Sequence, residues 1–301
     1  MLNVPETARI YFPHKLQPVV GTVQFIHGMG EHQGRYEEFA KYLATNGYAV
    51  ITSDLKGHGT NVKREADLGY IGDTGAQGLV GDIHDLTKVI TERYPNVPYI
   101  MIGHGMGALV AMAYFKKYDY FLDGLILSGM PSESGRISDR INIRITSSAK
   151  GEYYRSKSLY NSIYGTYTGS YAKEGSPSAW LSSAPAVWQE FDSDPKCGFI
   201  YTINGYKTYL DLLDNAYKTG SWILKNMHLP IHIVAGSRDN VCGNKHKQSR
   251  IAAVFREHGY DNIDTCLIHG MRHDIYNETD SDKTYDYILN RLDEIVKSHE
   301  N

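Results

Sequence analysis

Between Val19 and about residue 130 the chain alternates short apolar runs with stretches of helical spacing, and few folds accommodate that rhythm. Val19 to Ile26 reads as a buried strand that ends at a glycine turn. Arg35 to Asn46 reads as a helix with Gly47 just past its end, a position that favours glycine. Tyr48 to Thr52 is expected to be a second strand. Leu79, Ile83, Leu86 and Ile90 then recur at helical spacing until Pro95 stops the helix. Tyr99 to Ile102 reads as a third strand, Met106 to Tyr118 as a helix, and Leu125 to Leu127 as a fourth strand. Parallel strands need a crossover between them, usually a helix, so this alternation predicts a mostly parallel sheet with helices on both faces.

The rhythm breaks at Pro131 and resumes only with a strand from Pro230 to Ala235. A helix from Lys245 to His258 and a strand from Thr265 to Ile268 follow. The final helix carries Tyr285, Ile288, Leu289, Leu292 and Ile295 and is expected to be capped near Thr279 to Ser281. The stretch between is rich in Tyr, Ser and Gly and holds ten of the 24 tyrosines and all three tryptophans, Trp180, Trp188 and Trp222. Core packing and the lining of a ligand pocket account equally well for those aromatics. The order of elements makes the middle an insertion into one α/β domain. The core is expected at 1–130 and 227–301, with a mainly helical cap at 131–226.

Composition narrows the functional classes. The chain has 301 residues, 42% of them hydrophobic and 22% charged, which is ordinary for a globule with a sizeable core. A net charge of -3 gives no reason to expect a nucleic-acid partner. Cys197, Cys242 and Cys266 are too few and too scattered for a disulfide framework or a zinc site. The first residues do not read as a signal peptide, and no apolar run approaches the roughly 20 residues of a membrane span. The expectation is a cytoplasmic protein.

The strongest chemical signal is Gly103-His104-Gly105-Met106-Gly107, set between an apolar strand and a helix. That is the context of a nucleophile elbow, a sharp turn that lifts one side chain above the sheet, with flanking glycines where strand and helix approach closely. A dinucleotide loop is the competing reading. It is disfavoured because Ala108 occupies the place where its third glycine would be sought, and because the run follows the third strand rather than the first.

Gly-His-Gly-Met-Gly-Ala resembles the Gly-His-Ser-Met-Gly-Gly or -Ala elbow of the monoacylglycerol lipases and lysophospholipases, which are α/β-hydrolases. Four further segments resemble that family: His27-Gly28-Met29-Gly30-Glu31-His32 with Arg35-Tyr36, Asp54-Leu55-Lys56-Gly57-His58-Gly59, Gly236-Ser237-Arg238-Asp239, and Gly270-Met271-Arg272-His273-Asp274. Trp180-Leu181-Ser182 and Asp194-Pro195-Lys196-Cys197-Gly198-Phe199 resemble cap segments of the bacterial lysophospholipase branch. The likeness covers nearly the whole chain.

Ester hydrolysis needs a nucleophile, a base to take its proton and an acid to orient the base, and this fold places them along the chain in the order nucleophile, acid, base. Residue 105, Asp239 and His273 fit, each after a strand. Asp264 and Asp274 are rivals for the acid; Asp274, directly after the histidine, is poorly placed to reach its Nδ1. The resemblance implies an oxyanion hole formed by the main-chain N–H groups of Met29 and Met106, the latter at a helix N-terminus that favours negative charge.

Gly105 is the departure from the family pattern, because glycine cannot be acylated. Either serine was replaced to silence the enzyme, or the chain is a natural non-catalytic relative. The retention of acid, base and oxyanion loop favours the first, and a water activated by His273 in the empty space is a third reading. In its serine form the chain is expected to be a carboxylic-ester hydrolase without metal or organic cofactor, acting on a small ester or lipid. An amide-cleaving peptidase on the same fold is the alternative. The aromatic cap suits an apolar group. Arg136, Arg140, Arg144, Lys150, Arg155 and Lys157 read as a solvated face or, more sharply, as peripheral contact with anionic lipid head groups.

Overall fold

The computed structural model describes residues 4–131, 136–218, 220 and 222–299. Seven strands form one sheet in the order β1-β3-β2-β4-β5-β6-β7: β1 (Ala8–Tyr11), β2 (Gly21–Ile26), β3 (Tyr48–Ser53), β4 (Tyr99–His104), β5 (Gly124–Ser128), β6 (Ile231–Gly236) and β7 (Ile263–Ile268). All neighbours pair in parallel except β1, which lies antiparallel on β3 at one edge, with Ala8 opposite Ser53. The chain is an α/β protein with helices on both faces, as the sequence rhythm predicts.

The central strands are apolar on both faces because both are covered. Tyr48, Val50, Ile100, Ile102 and Ile126 point into one layer, with α1 (Glu37–Thr45) and α9 (Ser281–His299). Their alternates Ala49, Ile51, Tyr99, Met101, Leu125 and Leu127 point into the other. That layer holds α2 (Gly75–Arg93), α3 (Met106–Tyr118) and α8 (Lys245–Glu257). The period-two alternation of a strand therefore feeds two cores.

β1 was not legible in the sequence. It is a four-residue edge strand with only partial burial, so it carries no apolar run. The helix expected from Arg35 begins two residues later, after a 3₁₀ turn at Gln33–Tyr36 that carries the Arg35 side chain toward the sheet's carboxyl edge. Gly47 follows the helix at φ +96, as expected of its position.

Between β5 and β6 lie α4 (Ile137–Lys150), α5 (Lys157–Thr168), α6 (Pro185–Ser193) and α7 (Ile203–Tyr217). α7 buries Tyr206, Tyr209, Leu210 and Leu213 in the same cluster as α2 and α3. α4 and α5 add Ile143, Leu159 and Ile163 to that cluster, and Phe191 of α6 joins Trp180 and Leu181 in a smaller one. Of the six cationic residues picked out here, Arg136 pairs with Asp139, Arg140 with Asp211 and Asp214, and Arg155 donates to the carbonyls of Ile200, Glu65 and Ala66. Half of that charge thus has partners within the fold.

Candidate active site

The strand order reverses after β3: β3 lies to one side of β2 and β4 to the other. Such a switch point leaves a crevice outside the carboxyl ends of β2 and β4, where open α/β sheets bind ligands. The His27-Gly28 loop follows β2 and the Gly105 turn follows β4, so both sequence motifs meet there.

Gly105 has φ +55 and ψ -118, a sharp turn between β4 and α3, and its N–H donates to the Ser128 carbonyl at 2.9 Å. The flanking glycines answer to close approach. A Cβ on Gly103 would lie 2.5 Å from the Gly107 carbonyl oxygen, and one on Gly107 would lie 2.2 Å from that of Ile26. A Cβ on Gly105 would instead meet the His273 ring, 3.3 Å from Nε2, and the Gly28 Cα at 3.6 Å.

His273 Nδ1 lies 3.0 Å from Asp239 Oδ2, and both residues are buried. Burial works against the imidazolium, but the charge and hydrogen bond of Asp239 outweigh it, so His273 titrates above its ordinary value. Burial likewise opposes the Asp239 carboxylate. His273 and the Val241 N–H, which donates to Oδ1 at 2.7 Å, more than offset it and keep Asp239 below its usual range. The two rivals for the acid stand elsewhere. Asp264 is exposed on β7 and accepts from the Thr265 N–H; Asp274 accepts from Arg35 at 2.5 Å and from Asn277.

The loop after β2 is held by buried polar side chains. His27 Nε2 accepts from the Leu55 N–H, and its Nδ1 faces the Gly28 carbonyl. Glu31 Oε1 accepts from the Gly28 N–H at 2.5 Å and from the Tyr36 hydroxyl at 2.6 Å, while Arg35 bridges Glu31 and Asp274. Burial alone would raise the Glu31 carboxyl, yet Arg35 and its neighbours hold it at about 2. The Gly30 N–H meets the Tyr201 hydroxyl at 3.3 Å. The Met29 amide thus sits between two amides already engaged, and Met106 heads α3, where the helix ladder offers its N–H no acceptor. His104 packs its ring 4.7 Å from that of His273, and burial with that neighbour pushes it down to about 4.

A cavity of about 40 Å³ lies above Gly105. One wall is polar, with Glu31, Arg35, His104 and Asp274. The other is apolar, with Ile163, Tyr164, Tyr167, Trp180 and Phe191 from the insertion. Of the three tryptophans only Trp180 lines it; Trp222 is half-buried and packs against Phe115, Phe255 and Tyr260. The sequence did not single out Glu31, Arg35, Tyr164 or Tyr167. Glu31 and Arg35 stood inside a motif noted for its neighbours, and the two tyrosines were indistinguishable among ten.

Among the described residues, one group of donors is close enough to hold a cation. His32, Asp194 and Cys197 bring ligand atoms within 4.8 Å of one another, so Cys197 is less isolated than its sequence spacing implies. His32 Nδ1 accepts from the Gly34 N–H, which leaves Nε2 to donate to Asp194 at 2.8 Å. The group is a hydrogen-bonded clasp between the loop after β2 and the insertion.

A parallel sheet with a glycine-flanked turn at its switch point, and a buried His–Asp pair facing that turn, defines an α/β-hydrolase. The sequence matches the serine aminopeptidase S33 family of hydrolases over residues 17–280, and the chain belongs to that family. A monoglyceride lipase homolog from Monkeypox virus is 24% identical over 262 residues, covering 85% of this chain and 83% of the relative. The monoacylglycerol lipase of Mycolicibacterium smegmatis is 30% identical over 109 residues, and the match spans 36% of this chain and 37% of that protein's length. A thermostable carboxyl esterase from Bacillus coagulans, solved with glycerol, aligns with a TM-score of 0.85 at 26% identity, over 96% of this chain and 94% of its own. A soluble variant of the Saccharomyces cerevisiae monoglyceride lipase, solved with a substrate analog, aligns at 0.75 and 20% identity over 97% and 91%, a likeness of fold. The chain is thus a member of a hydrolase family, and it is similar to proteins named as lipases and esterases.

Proposed function

We propose that this is the site of a carboxylic-ester hydrolase of the monoacylglycerol-lipase and lysophospholipase type, in a form that lacks its nucleophile. The observation that carries the reading is the position of His273. Its Nδ1 is held by Asp239, and its Nε2 is 3.3 Å from where a side-chain carbon on Gly105 would begin. With serine at residue 105, His273 would take the hydroxyl proton as the oxygen attacks the ester carbonyl. The Met29 and Met106 amides would receive the oxyanion. His273 would pass the proton to the leaving alcohol, and water would then release the acid from the acyl-enzyme by the same route. No metal or organic cofactor enters these steps. The chain as it stands has no atom at residue 105 to acylate.

The fold similarity to an esterase solved with glycerol, and to relatives named for monoacylglycerol hydrolysis, supports a small ester or lipid substrate. Peripheral contact with lipid is supported by α4, where Ile137, Ile141 and Ile145 stand exposed along one face beside the exposed Arg144 and Lys150. No helix among the described residues is long and apolar enough to cross a membrane.

The family's description as serine aminopeptidase supports a second reading, amide cleavage at the same site. Gly105→Ser assayed on matched ester and amide substrates separates the two: the ester should turn over, and preference for the amide would move the assignment. A folded Gly105→Ser protein inert toward both would support a natural ligand-binding relative.

A further inference from the structure

We propose that residues 171–183 of the insertion help to set the acid and the base, and that Arg272 is the positioning residue through which they act; the proposal rests on the ester-hydrolase reading above. Arg272 immediately precedes His273, and its side chain is buried against the insertion. There it donates to the carbonyls of Ala179 and Ser182. It also meets Glu174 as a fork, Nη1 to Oε2 at 2.9 Å and Nη2 to Oε1 at 2.7 Å. A bidentate pair of this kind fixes direction as well as distance. The residue on the other side of the base is tied to the same stretch: the Asp274 N–H donates to the Leu181 carbonyl at 2.8 Å. His273 is thus bracketed by two anchors on residues 179–182. Buried Glu278 completes the arrangement, accepting from the Arg272 N–H at 2.8 Å, the Ser182 hydroxyl at 2.7 Å and the Ser183 N–H at 2.9 Å.

The acid is reached from the same place. Arg272 Cζ lies 3.9 Å from the centre of the Tyr171 ring. The Tyr171 hydroxyl donates at 2.7 Å to the carbonyl of Arg238, the residue before Asp239. Tyr171 and Arg272 therefore join the residues that precede the acid and the base. The two turns also touch directly, through the Arg238 N–H on the Met271 carbonyl and the Gly270 N–H on the Ser237 hydroxyl, both at 2.9 Å. Those bonds hold the turns where they begin, and Arg272 holds the position next to the imidazole. An ion pair that served only to fasten the insertion could sit anywhere along its border with the core. This one adjoins the base and, through Tyr171, the acid. Placement matters there: an error of about 1 Å in a catalytic group can cost on the order of 100-fold in rate.

Two measurements test this. The first needs no nucleophile: the His273 imidazole is titrated by NMR in the Gly105 chain, in Arg272→Met and in Tyr171→Phe. The titratable groups that face its ring are Asp239, Asp274, Glu31 and His104, and neither substitution alters them. Loss of the Arg272 charge would by itself raise the His273 value, because a nearby cation disfavours the imidazolium. Loss of placement weakens the contact with Asp239 and lowers it. The value should fall by about half a pH unit or more in Arg272→Met, and by less in Tyr171→Phe, which changes no charge. In the second, made in the Gly105→Ser protein, both substitutions should lower kcat, Arg272→Met by about tenfold or more, with KM little changed. An unchanged titration in a folded but less stable Arg272→Met protein would overturn the proposal and leave Arg272 as a fastening for the insertion. A raised value would overturn it too, leaving only an effect of charge. A fall confined to Arg272→Met would overturn the link to the acid. If Arg272→Met does not fold, Tyr171→Phe decides by the same readings. If Gly105→Ser is inert toward every ester, the hydrolase reading fails, and the titration still decides the role of Arg272.

Discussion

A side-chain carbon on Gly105 would stand 3.3 Å from His273 Nε2 on a backbone held at φ +55. The His273 ring would have to give by a few tenths of an ångström, and the conformation is one that L-residues rarely adopt, at a cost of roughly 1–3 kcal/mol. Gly105→Ser should therefore melt at or slightly below the midpoint of the glycine chain, the freer unfolded state of glycine returning part of the difference. A clearly higher midpoint for the serine protein would contradict a strained elbow. His273 allows a test that needs no nucleophile. Its pKa is raised by Asp239 against the opposing effect of burial. An NMR titration of the Gly105 chain should place its imidazole above the ordinary 6.5. In Asp239→Asn, burial remains while the charge is gone, so the value should fall below 6.5. The interaction stabilises the fold fully below the unfolded-state pKa, and that stability is lost as pH rises through the raised native value. Activity of the serine form runs the other way: kcat/KM should rise with pH through the same value, because the neutral ring is the base. An Asp239→Asn titration superimposable on that of the parent would show that another acid holds His273.

At the scale of elements, the parts most visible in the sequence are those buried on both sides. The strands around Val23, Val50, Met101 and Ile126 are near-continuous apolar runs because two cores cover them, and the expected α3 coincides with Met106–Tyr118. β1 escaped notice because an edge strand half open to solvent has no such run. The insertion was legible only as a loss of rhythm. Its helices mix buried and exposed faces over short lengths, and their mutual order depends on pairs distant in sequence, such as Arg140 with Asp214 and Arg272 with Glu174. α4 carries its own prediction. Burying one isoleucine is worth about 1.5–3 kcal/mol, so replacing both Ile141 and Ile145 with Ser should weaken association with anionic vesicles by about tenfold or more. Vesicle sedimentation measures it, and undiminished binding would remove α4 as the lipid contact.

Across the whole molecule, the site is assembled where the strand order reverses, from a loop after β2, a turn after β4, an acid after β6 and a base after β7. That arrangement was legible because each piece is a short motif with a fixed partner in chain order. Asp239 could be preferred over Asp274 from sequence by reach alone, and its Oδ2 lies 3.0 Å from His273 Nδ1. The lining of the pocket was not legible. It arises from how Tyr164 and Tyr167 of α5 meet Trp180, and composition shows only that aromatics are plentiful. The central claim is that everything for acyl transfer is in place except one side chain. Its most direct test is intact-protein and peptide mass spectrometry after treating Gly105→Ser with a serine-directed fluorophosphonate, beside the Gly105 chain and the double variant Gly105→Ser, His273→Ala. The account predicts one adduct, on residue 105, formed rapidly in Gly105→Ser, absent from the Gly105 chain and slowed by orders of magnitude when His273 is removed. A folded Gly105→Ser protein that stays unlabelled, or that labels equally fast without His273, would contradict it.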